Sequence, residues 1–327
     1  RCNYRRTIAS VGIAHDTCHP SLQQRARSVR GARDSGGAGG APPRHVVVAA
    51  IDRRSLQQHH RGVPQDAVRE FVDGLGADPL DEAQVRFTFE ESEGFAPLPT
   101  MPVVMAGPGF WVREPDSGVT WEQVLHGEQR LTLHNPMPAE GVAVGRTRID
   151  GIVDKGPGKG ALIYVAREIH EKTSGLHIAT SVSTTFARAD GGFGGATLPK
   201  GNQVSMPDRQ ADVRLSQETT PGQAIIYRLS GDWNPLHIDP DVATQAGFSQ
   251  PILHGYCSYA IAGWAVCQAA KQPASALKEL SAQFTFPVLP GNSIEFEFWQ
   301  QSENEWLFNA TSNGKLVLNK CRARFSS

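Results

Sequence analysis

The chain lacks the features that mark several broad classes of protein. A formal net charge of −1 over 327 residues gives no overall electrostatic attraction to nucleic acid or to anionic membranes. No apolar run approaches the roughly 20 residues that cross a bilayer, so no membrane span is expected. The glycine-rich stretches at 156–160 and 191–195 fit neither GxxxxGK[ST] nor GxGxxG, which argues against a nucleotide cofactor.

Cysteines are few and scattered. The five lie at Cys2, Cys18, Cys257, Cys267 and Cys321. Their number is odd and no two form a CxxC pair, which argues against a disulfide framework and against a structural zinc site. We therefore expect no metal site, a reducing compartment and, by default, the cytoplasm. The terminal Phe-Ser-Ser does not resemble a Ser-Lys-Leu peroxisomal address.

The first 44 residues differ in composition from the rest of the chain. They contain eight arginines, only two acidic residues and a glycine-rich patch at 31–40. No apolar periodicity is visible there, which predicts a disordered extension at 1–44. An arginine-rich, acid-poor beginning is also typical of a transit peptide, so that alternative stays open.

Strand-like segments separated by Gly- and Pro-rich turns recur in both halves of the chain. They are predicted at Arg130–His134, Val142–Val153, Ala161–Ile169, Leu176–Ala187, Glu279–Pro287, Ser293–Gln301, Trp306–Thr311 and Leu316–Phe325. Gly255–Ala270 is apolar nearly all round, which predicts a buried helix, and Pro64–Leu75 is predicted to form a short one. A buried helix followed by antiparallel strands indicates a sheet wrapped around it. The similar succession of strands in both halves indicates a degenerate duplication, with repeats at 45–200 and 201–327.

The decapeptide Gly-Asp-Trp-Asn-Pro-Leu-His-Ile-Asp-Pro at 231–240 carries the strongest chemical signal. Pro235 fixes its own φ and pushes Asn234 toward extended geometry, so the backbone must bend. The bend lets Asp232 and His237 converge on one point. A carboxylate and an imidazole aimed at one water molecule form a general acid–base pair. Asn234 could bond that water or pin the loop, and the sequence does not choose between these roles.

Several blocks in order resemble one known family. Residues 227–240 and 246–255 (Ala-Gly-Phe-Ser-Gln-Pro-Ile-Leu-His-Gly) resemble the signature of (R)-specific enoyl-CoA hydratases, the type 2 hydratases of the MaoC-like group. The first half is separately similar to the long two-repeat members, in Gly-Phe-Trp-Val-Arg-Glu-Pro-Asp-Ser-Gly (109–118), Leu-His-Gly-Glu-Gln (125–129), Asp-Lys-Gly-Pro-Gly-Lys-Gly-Ala (154–161) and Asp-Gly-Gly-Phe-Gly-Gly (190–195). The resemblance implies an α+β double hot-dog fold, in which each of two repeats is an antiparallel sheet curled around a central helix.

The resemblance also implies roles for individual residues. Asp232 and His237 match the family's catalytic pair, and Gly255 matches the glycine whose backbone N–H binds the thioester oxygen. Positions that contact the CoA substrate are matched by His126, Gly127, Lys155 and Phe284. The first repeat has no counterpart of the Asp/His motif, so it is expected to bind substrate without catalysing the reaction.

These features together predict a hydro-lyase. It would add water reversibly and syn to trans-2-enoyl-CoA, giving (3R)-3-hydroxyacyl-CoA in fatty-acid or related acyl-CoA metabolism. The expected partner is the acyl-CoA substrate, without a metal or redox cofactor, and a homodimer is compatible with the resemblance. Two alternatives remain: an acyl-CoA thioesterase, because hot-dog folds host both activities, and an acyl-CoA-binding protein without catalysis.

Simpler structural roles compete for several of these residues. Gly-Asp is a common turn former, so Asp232 alone would be interpreted as a turn residue, and only its pairing with His237 favours catalysis. His254 is expected to bond a nearby carbonyl. Asp239, which precedes a proline, is typical of a helix N-cap. Lys155 could meet the CoA phosphates as a point charge or lie in a solvated hairpin.

Overall fold

The computed structural model describes residues 55–63, 65–78, 80–194 and 204–326, and the first of these ranges in its backbone only. The predicted extension at 1–44 lies outside the described residues. The predicted boundary between the repeats, at 200/201, also lies outside them. The predictions that concern the body of each repeat can be compared with the structure.

Ten antiparallel strands form one continuous sheet in the order β1-β3-β4-β5-β2-β7-β10-β9-β8-β6. In chain order the strands are β1 (Ser55–Val63), β2 (Val124–Leu133), β3 (Gly141–Asp154), β4 (Ala161–Glu171), β5 (His177–Ala187), β6 (Val213–Gln217), β7 (Leu277–Phe284), β8 (Ile294–Ser302), β9 (Glu305–Ser312) and β10 (Lys315–Phe325). The eight strands expected from the sequence are all present, and the two not anticipated, β1 and β6, are the outer edges.

The sheet is built from two halves with the same strand order. In the first half the first, third, fourth, fifth and second strands follow one another, and the second half repeats this order from the opposite edge. The halves meet where β2 pairs with β7, with Glu128 opposite Gln283 and Thr132 opposite Glu279. This topology confirms the predicted two-repeat α+β fold.

The helix of the second repeat, Gly255–Ala270, has the predicted bounds. Its apolar residues recur on every face because it lies inside the fold, packed against β6, β7 and β8. Tyr259 is fully buried, and its hydroxyl donates to the carbonyl of Leu280 at 2.7 Å. The helix has 16 residues, and the described part of the chain contains no helix with the length and apolar character needed to cross a membrane.

The corresponding stretch of the first repeat is broken into short pieces. It contains α1 (Gln65–Asp73), α2 (Glu82–Thr88) and four single-turn 3₁₀ helices, rather than one long helix. Prolines and glycines recur throughout it, and both interrupt helices. The predicted short helix is confirmed, with Phe71 buried and its ring 5.9 Å from that of Tyr227. We number the helices of the second repeat α3 (Gln223–Tyr227), α4 (Pro240–Gln245) and α5 (Gly255–Ala270).

Replacing Phe308 tests the core of the second repeat. Its side chain is fully buried, with its ring 5.3 Å from that of Phe298. We expect Phe308→Ala to lower the free energy of unfolding by about 3–5 kcal/mol, because the cavity left behind cannot collapse fully. Leu80→Ala is the control, since Leu80 is 89% exposed and should change stability by less than about 0.5 kcal/mol. Similar losses in urea unfolding of the two variants would contradict this assignment of the core.

Candidate active site

A cavity of about 800 Å³ lies between the two repeats. Its walls come from the 231–237 segment, the first turn of α5, the 103–112 loop and the inner faces of β4 and β5. Apolar side chains form much of this wall, and polar side chains are concentrated on β4, β5 and the 231–237 segment. The size and lining are typical of a site for a small organic ligand.

The 231–240 segment is bent as its sequence predicts. Gly231 has φ of +108°, a conformation that glycine adopts without strain. Residues Pro235–His237 then form one 3₁₀ turn, and the Asn234 side-chain oxygen accepts from the Leu236 N–H at 3.1 Å. This bond shows that Asn234 holds the loop, and the residue also lines the cavity, so a contact of its amide N–H₂ with water stays a prediction.

The tautomer of His237 follows from one hydrogen bond. Its Nδ1 lies 2.9 Å from the carbonyl oxygen of Ile252. A carbonyl can only accept, so Nδ1 carries the proton and Nε2 of the neutral ring is an acceptor. Burial lowers the pKa of His237, and the nearby Asp232 charge opposes that shift. The ring is therefore held neutral with a lone pair available at Nε2.

Asp232, His237 and His254 converge. One potential ligand atom from each lies within 4.8 Å of the other two. His254 is fully buried, and its Nε2 donates to the backbone carbonyl of Asp232 at 3.2 Å, which is the carbonyl bond expected for this residue. Burial, followed by the adjacent His237, lowers the pKa of His254 to about 2. His254 thus positions the backbone of Asp232 while remaining uncharged.

The two histidine rings of this cluster are stacked. The His237 and His254 rings lie face to face, with centroids 3.8 Å apart and planes 30° apart. Each ring has also committed one nitrogen to a carbonyl. Of the three residues, Asp232 and His237 line the cavity, so the carboxylate of Asp232 and Nε2 of His237 are candidate proton acceptors there.

Gly255 forms the floor of the cavity at the start of α5. It is the first helical residue, so its N–H has no partner within the helix. No acceptor in the described ranges bonds to it. A Cβ at this position would lie 3.2 Å from Nδ1 of His126 and 3.4 Å from Cε1 of Phe284. Glycine therefore lets His126 and Phe284 pack closely against the start of the helix, where a free backbone donor lies at the positive end of the helix dipole.

The first repeat contributes to the same cavity through a bulge in β2. The pairing of β2 with β5 shifts register at Gly127, between His126 and Glu128, and such bulges redirect neighbouring side chains. The His126 ring stacks on Phe284 at 4.3 Å and meets Tyr256 edge-on at 4.6 Å. Burial lowers the pKa of His126 to about 4, so this ring is also neutral.

Lys155 is placed differently from the other predicted site residues. The remaining seven, Asp232, His237, Gly255, His126, Gly127, Asn234 and Phe284, all line the cavity, and Lys155 does not. Its ammonium lies 4.7 Å from the ring centroid of Phe186, which does line it. Lys155 follows β3 at a hairpin, so it lies beside the cavity wall.

A buried cation of the cavity wall was not predicted from the sequence. Arg167 lines the cavity from β4 and is only 9% exposed. Its Nη2 donates to the carbonyl of Val103 at 2.6 Å and to that of Pro102 at 3.3 Å. The inward residues of β4 alternate as Ala161, Ile163, Val165, Arg167 and Ile169. A cation in that apolar series was the signal that could have identified it.

Comparison with known proteins supports one family for both halves. Residues 65–189 match the family model described as the MFE-2 hydratase 2 N-terminal domain, and residues 202–317 match the MaoC like domain. A protein named probable enoyl-CoA hydratase 2 from Dictyostelium discoideum is 39% identical over 243 residues, covering 72% of this chain and 82% of that protein. The 3-hydroxyacyl-thioester dehydratase Y of Mycobacterium tuberculosis is 38% identical over 245 residues, covering 74% and 83%. The crystal structure of a MaoC-like dehydratase from Phytophthora capsici matches with a TM-score of 0.75 and 29% identity, covering 86% of this chain and 99% of that chain.

Lowering the pH should destabilise the fold through the buried histidines. The pKa values of His126 and His254 fall from 6.5 to about 4 and about 2 in the folded state. Between those values and 6.5 the unfolded chain binds more protons, so stability falls as the pH falls, by up to about 1.4 kcal/mol per pH unit for each ring. Urea unfolding from about pH 7 to about pH 5 measures this. We expect the free energy of unfolding of His254→Gln to depend less steeply on pH than that of wild type, by about one proton. Equal slopes for the variant and wild type would contradict a neutral His254.

Proposed function

The chain belongs to the MaoC-like dehydratases that carry an MFE-2 hydratase 2 N-terminal domain, and we propose that it hydrates trans-2-enoyl-CoA reversibly to (3R)-3-hydroxyacyl-CoA in fatty-acid metabolism. The names of its relatives support the reaction class. The observation that carries the proposal is the convergence of the Asp232 carboxylate and the His237 imidazole on one point of an apolar cavity.

Two proton acceptors at one point orient a water molecule for attack. Such a water donates one hydrogen to Nε2 of His237 and the other to the Asp232 carboxylate. Its oxygen lone pair then faces the substrate and can form the bond to C3. The proton lost by the water passes to the pair, which returns a proton to C2. The double bond becomes a single bond, and both additions occur from one face, so hydration is syn. A positioned acid–base pair accelerates such steps by about 10²–10⁴-fold.

The negative charge that develops on the thioester oxygen needs a donor. The N–H of Gly255 is free of intrahelical bonds and lies at the positive end of α5. A preorganised donor of this kind contributes about 3–4 kcal/mol to the transition state. Gly255 lines the cavity, with His126 and Phe284 packed beside it where a side chain would otherwise lie.

The remaining substrate groups are divided between the repeats. The first repeat supplies cavity wall from His126 and Gly127, and Lys155 stands beside that wall. We propose that these residues contact the CoA thioester, with Lys155 meeting a phosphate as a point charge. We further propose that no metal or redox cofactor takes part, because hydration of an enoyl thioester needs only proton transfer and oxyanion stabilisation, which Asp232, His237 and Gly255 can supply.

Two properties stay predictions. A homodimer is consistent with the exposed apolar side chains of Ile225, Ile226 and Leu229, since contiguous exposed apolar surface commonly marks protein contacts. Cytoplasmic location rests on the cysteines, and the three in the described residues, Cys257, Cys267 and Cys321, are all free.

Removing either member of the pair should abolish most of the turnover. We expect Asp232→Asn and His237→Gln to lower kcat for crotonyl-CoA hydration by about 10²–10⁴-fold, with an unchanged thermal midpoint for the isosteric Asp232→Asn. Asp241→Asn, an exposed acid nearby in the chain, is the matched control and should keep full activity. Near-normal hydration by Asp232→Asn would refute the mechanism. Release of free thiol would indicate a thioesterase, and binding of crotonyl-CoA without turnover would indicate a carrier.

Two substitutions at Gly255 separate the donor from the space around it. Proline is tolerated at the first helical position, and the preceding His254 has ψ of 135°, which is allowed before proline. Gly255→Ala adds a side chain but keeps the N–H, whereas Gly255→Pro also removes the N–H. We expect kcat of the proline variant to be about 10²–10³-fold below that of the alanine variant. Equal kcat values in two folded variants would rule out the Gly255 N–H as the oxyanion donor.

A further inference from the structure

A polar row crosses the inner face of the first-repeat sheet. Thr147 on β3 lies directly opposite Arg167 on β4, and Arg167 lies directly opposite Ser181 on β5. Residues opposite one another share a face, and all three line the cavity. Thr147 and Ser181 are each 3% exposed and Arg167 is 9% exposed. The row thus places a buried cation between two hydroxyl groups on a wall that Ser183 and Thr185 of β5 extend with further hydroxyls.

The row has unused hydrogen-bond donors and an unbalanced positive charge. No carboxylate in the described part of the chain forms an ion pair with Arg167. Its Nη2 bonds two carbonyls, but its buried Nε has no partner among the described residues, and neither does Oγ1 of Thr147. Ser181 Oγ accepts from the Gln129 amide at 2.9 Å, so its own proton is free to donate. A buried cation without a counter-ion is costly, and an anionic ligand would offset that cost.

Burial decides which part of the substrate could reach this row. The phosphates of CoA are multiply charged and stay close to water, so they would meet exposed cations. Arg167 is buried on the cavity wall of the repeat opposite to Asp232 and His237. The group that meets it must therefore be carried into the cavity on the acyl side of the thioester.

We propose, on the basis of the hydratase function above, that the Thr147–Arg167–Ser181 row binds a carboxylate carried on the acyl chain, so that the substrate class includes enoyl-CoA esters with a carboxylated tail. The guanidinium supplies charge and N–H donors in a fixed planar fork, which matches carboxylate geometry. The two hydroxyls supply further donors on either side. The carbonyl bonds of Nη2 hold the fork in place before the ligand arrives.

Holding the 102–103 carbonyls is the competing structural role for Arg167. That role uses Nη2 alone and gives no reason for the chain to place a cation inside the cavity, where the other inward positions of β4 are apolar. It also predicts no dependence of activity on the chemistry of the acyl tail. Substrate preference therefore separates the two roles, whereas stability alone would not.

The test compares two series of trans-2-enoyl-CoA esters of increasing length, one ending in a methyl group and one in a carboxylate. For each length kcat/KM is measured with wild type, Arg167→Met and Arg167→Lys. Arg148→Met is the surface control, because Arg148 adjoins Thr147 on β3 but is half-exposed and pairs with Asp150 and Glu168. Thermal midpoints are recorded for all variants.

At the chain length that reaches the row, we expect wild type and Arg148→Met to favour the carboxylated ester. Arg167→Met should lower this preference by about 10- to 100-fold, which is typical of the loss of a charge-assisted hydrogen bond, and Arg167→Lys should retain part of it. The kcat/KM for methyl-ended esters should change far less. Should Arg167→Met fail to fold, Gly107→Ala replaces it, because a Cβ at Gly107 would overlap Nη1 of Arg167 and should weaken the same preference.

The outcomes distinguish this inference from the function on which it rests. If wild type hydrates neither series, the hydratase function fails. If wild type hydrates methyl-ended esters but prefers the carboxylated ester at no length, the inference is overturned and the function stands. An unchanged preference in folded Arg167→Met would also overturn it.

Discussion

Two histidine–carbonyl hydrogen bonds brace the site, and the catalytic geometry depends on them. His237, on the bent loop, donates to the carbonyl of Ile252, just before α5. His254, at the start of α5, donates back to the carbonyl of Asp232 on the loop. The loop and the helix are thus joined in both directions, with the imidazoles stacked between them. Each bond consumes one ring nitrogen, so the same contacts that hold the backbone also fix the protonation pattern available for chemistry.

The asymmetry between the repeats explains where the substrate space lies. In the second repeat the long helix α5 fills the concave face of the sheet and begins at the floor of the site. In the first repeat the equivalent region is broken by prolines and glycines, and α1 packs against the 223–230 segment of the other half. The inner faces of β4 and β5 therefore remain accessible from the cavity. The second repeat provides the reactive groups, and the first repeat provides the space for the substrate.

The sequence predicted the fold and the site unevenly, for physical reasons. Gly255–Ala270 is apolar on all faces and was located to the residue, because a fully buried helix leaves a strong local pattern. The convergence of Asp232 and His237 followed from the proline-bent decapeptide. The edge strand β1 was not predicted, because Ser55–Val63 is largely polar and its apolar and polar residues do not alternate. Arg167 was not predicted, because its place beside Thr147 and Ser181 depends on the register between strands that are distant in sequence. Local sequence patterns do not encode that register.

The pairing of β2 with β7 within one polypeptide affects how the two repeats can come to differ in sequence. If the two repeats were separate copies of one chain, every substitution would occur in both copies. One copy could not lose its long helix while the other retained it. Because the β2–β7 pairing joins parts of a single polypeptide, each repeat can specialise. The association of the two halves is also unimolecular, so dilution cannot separate them. The cavity between them therefore forms at any protein concentration.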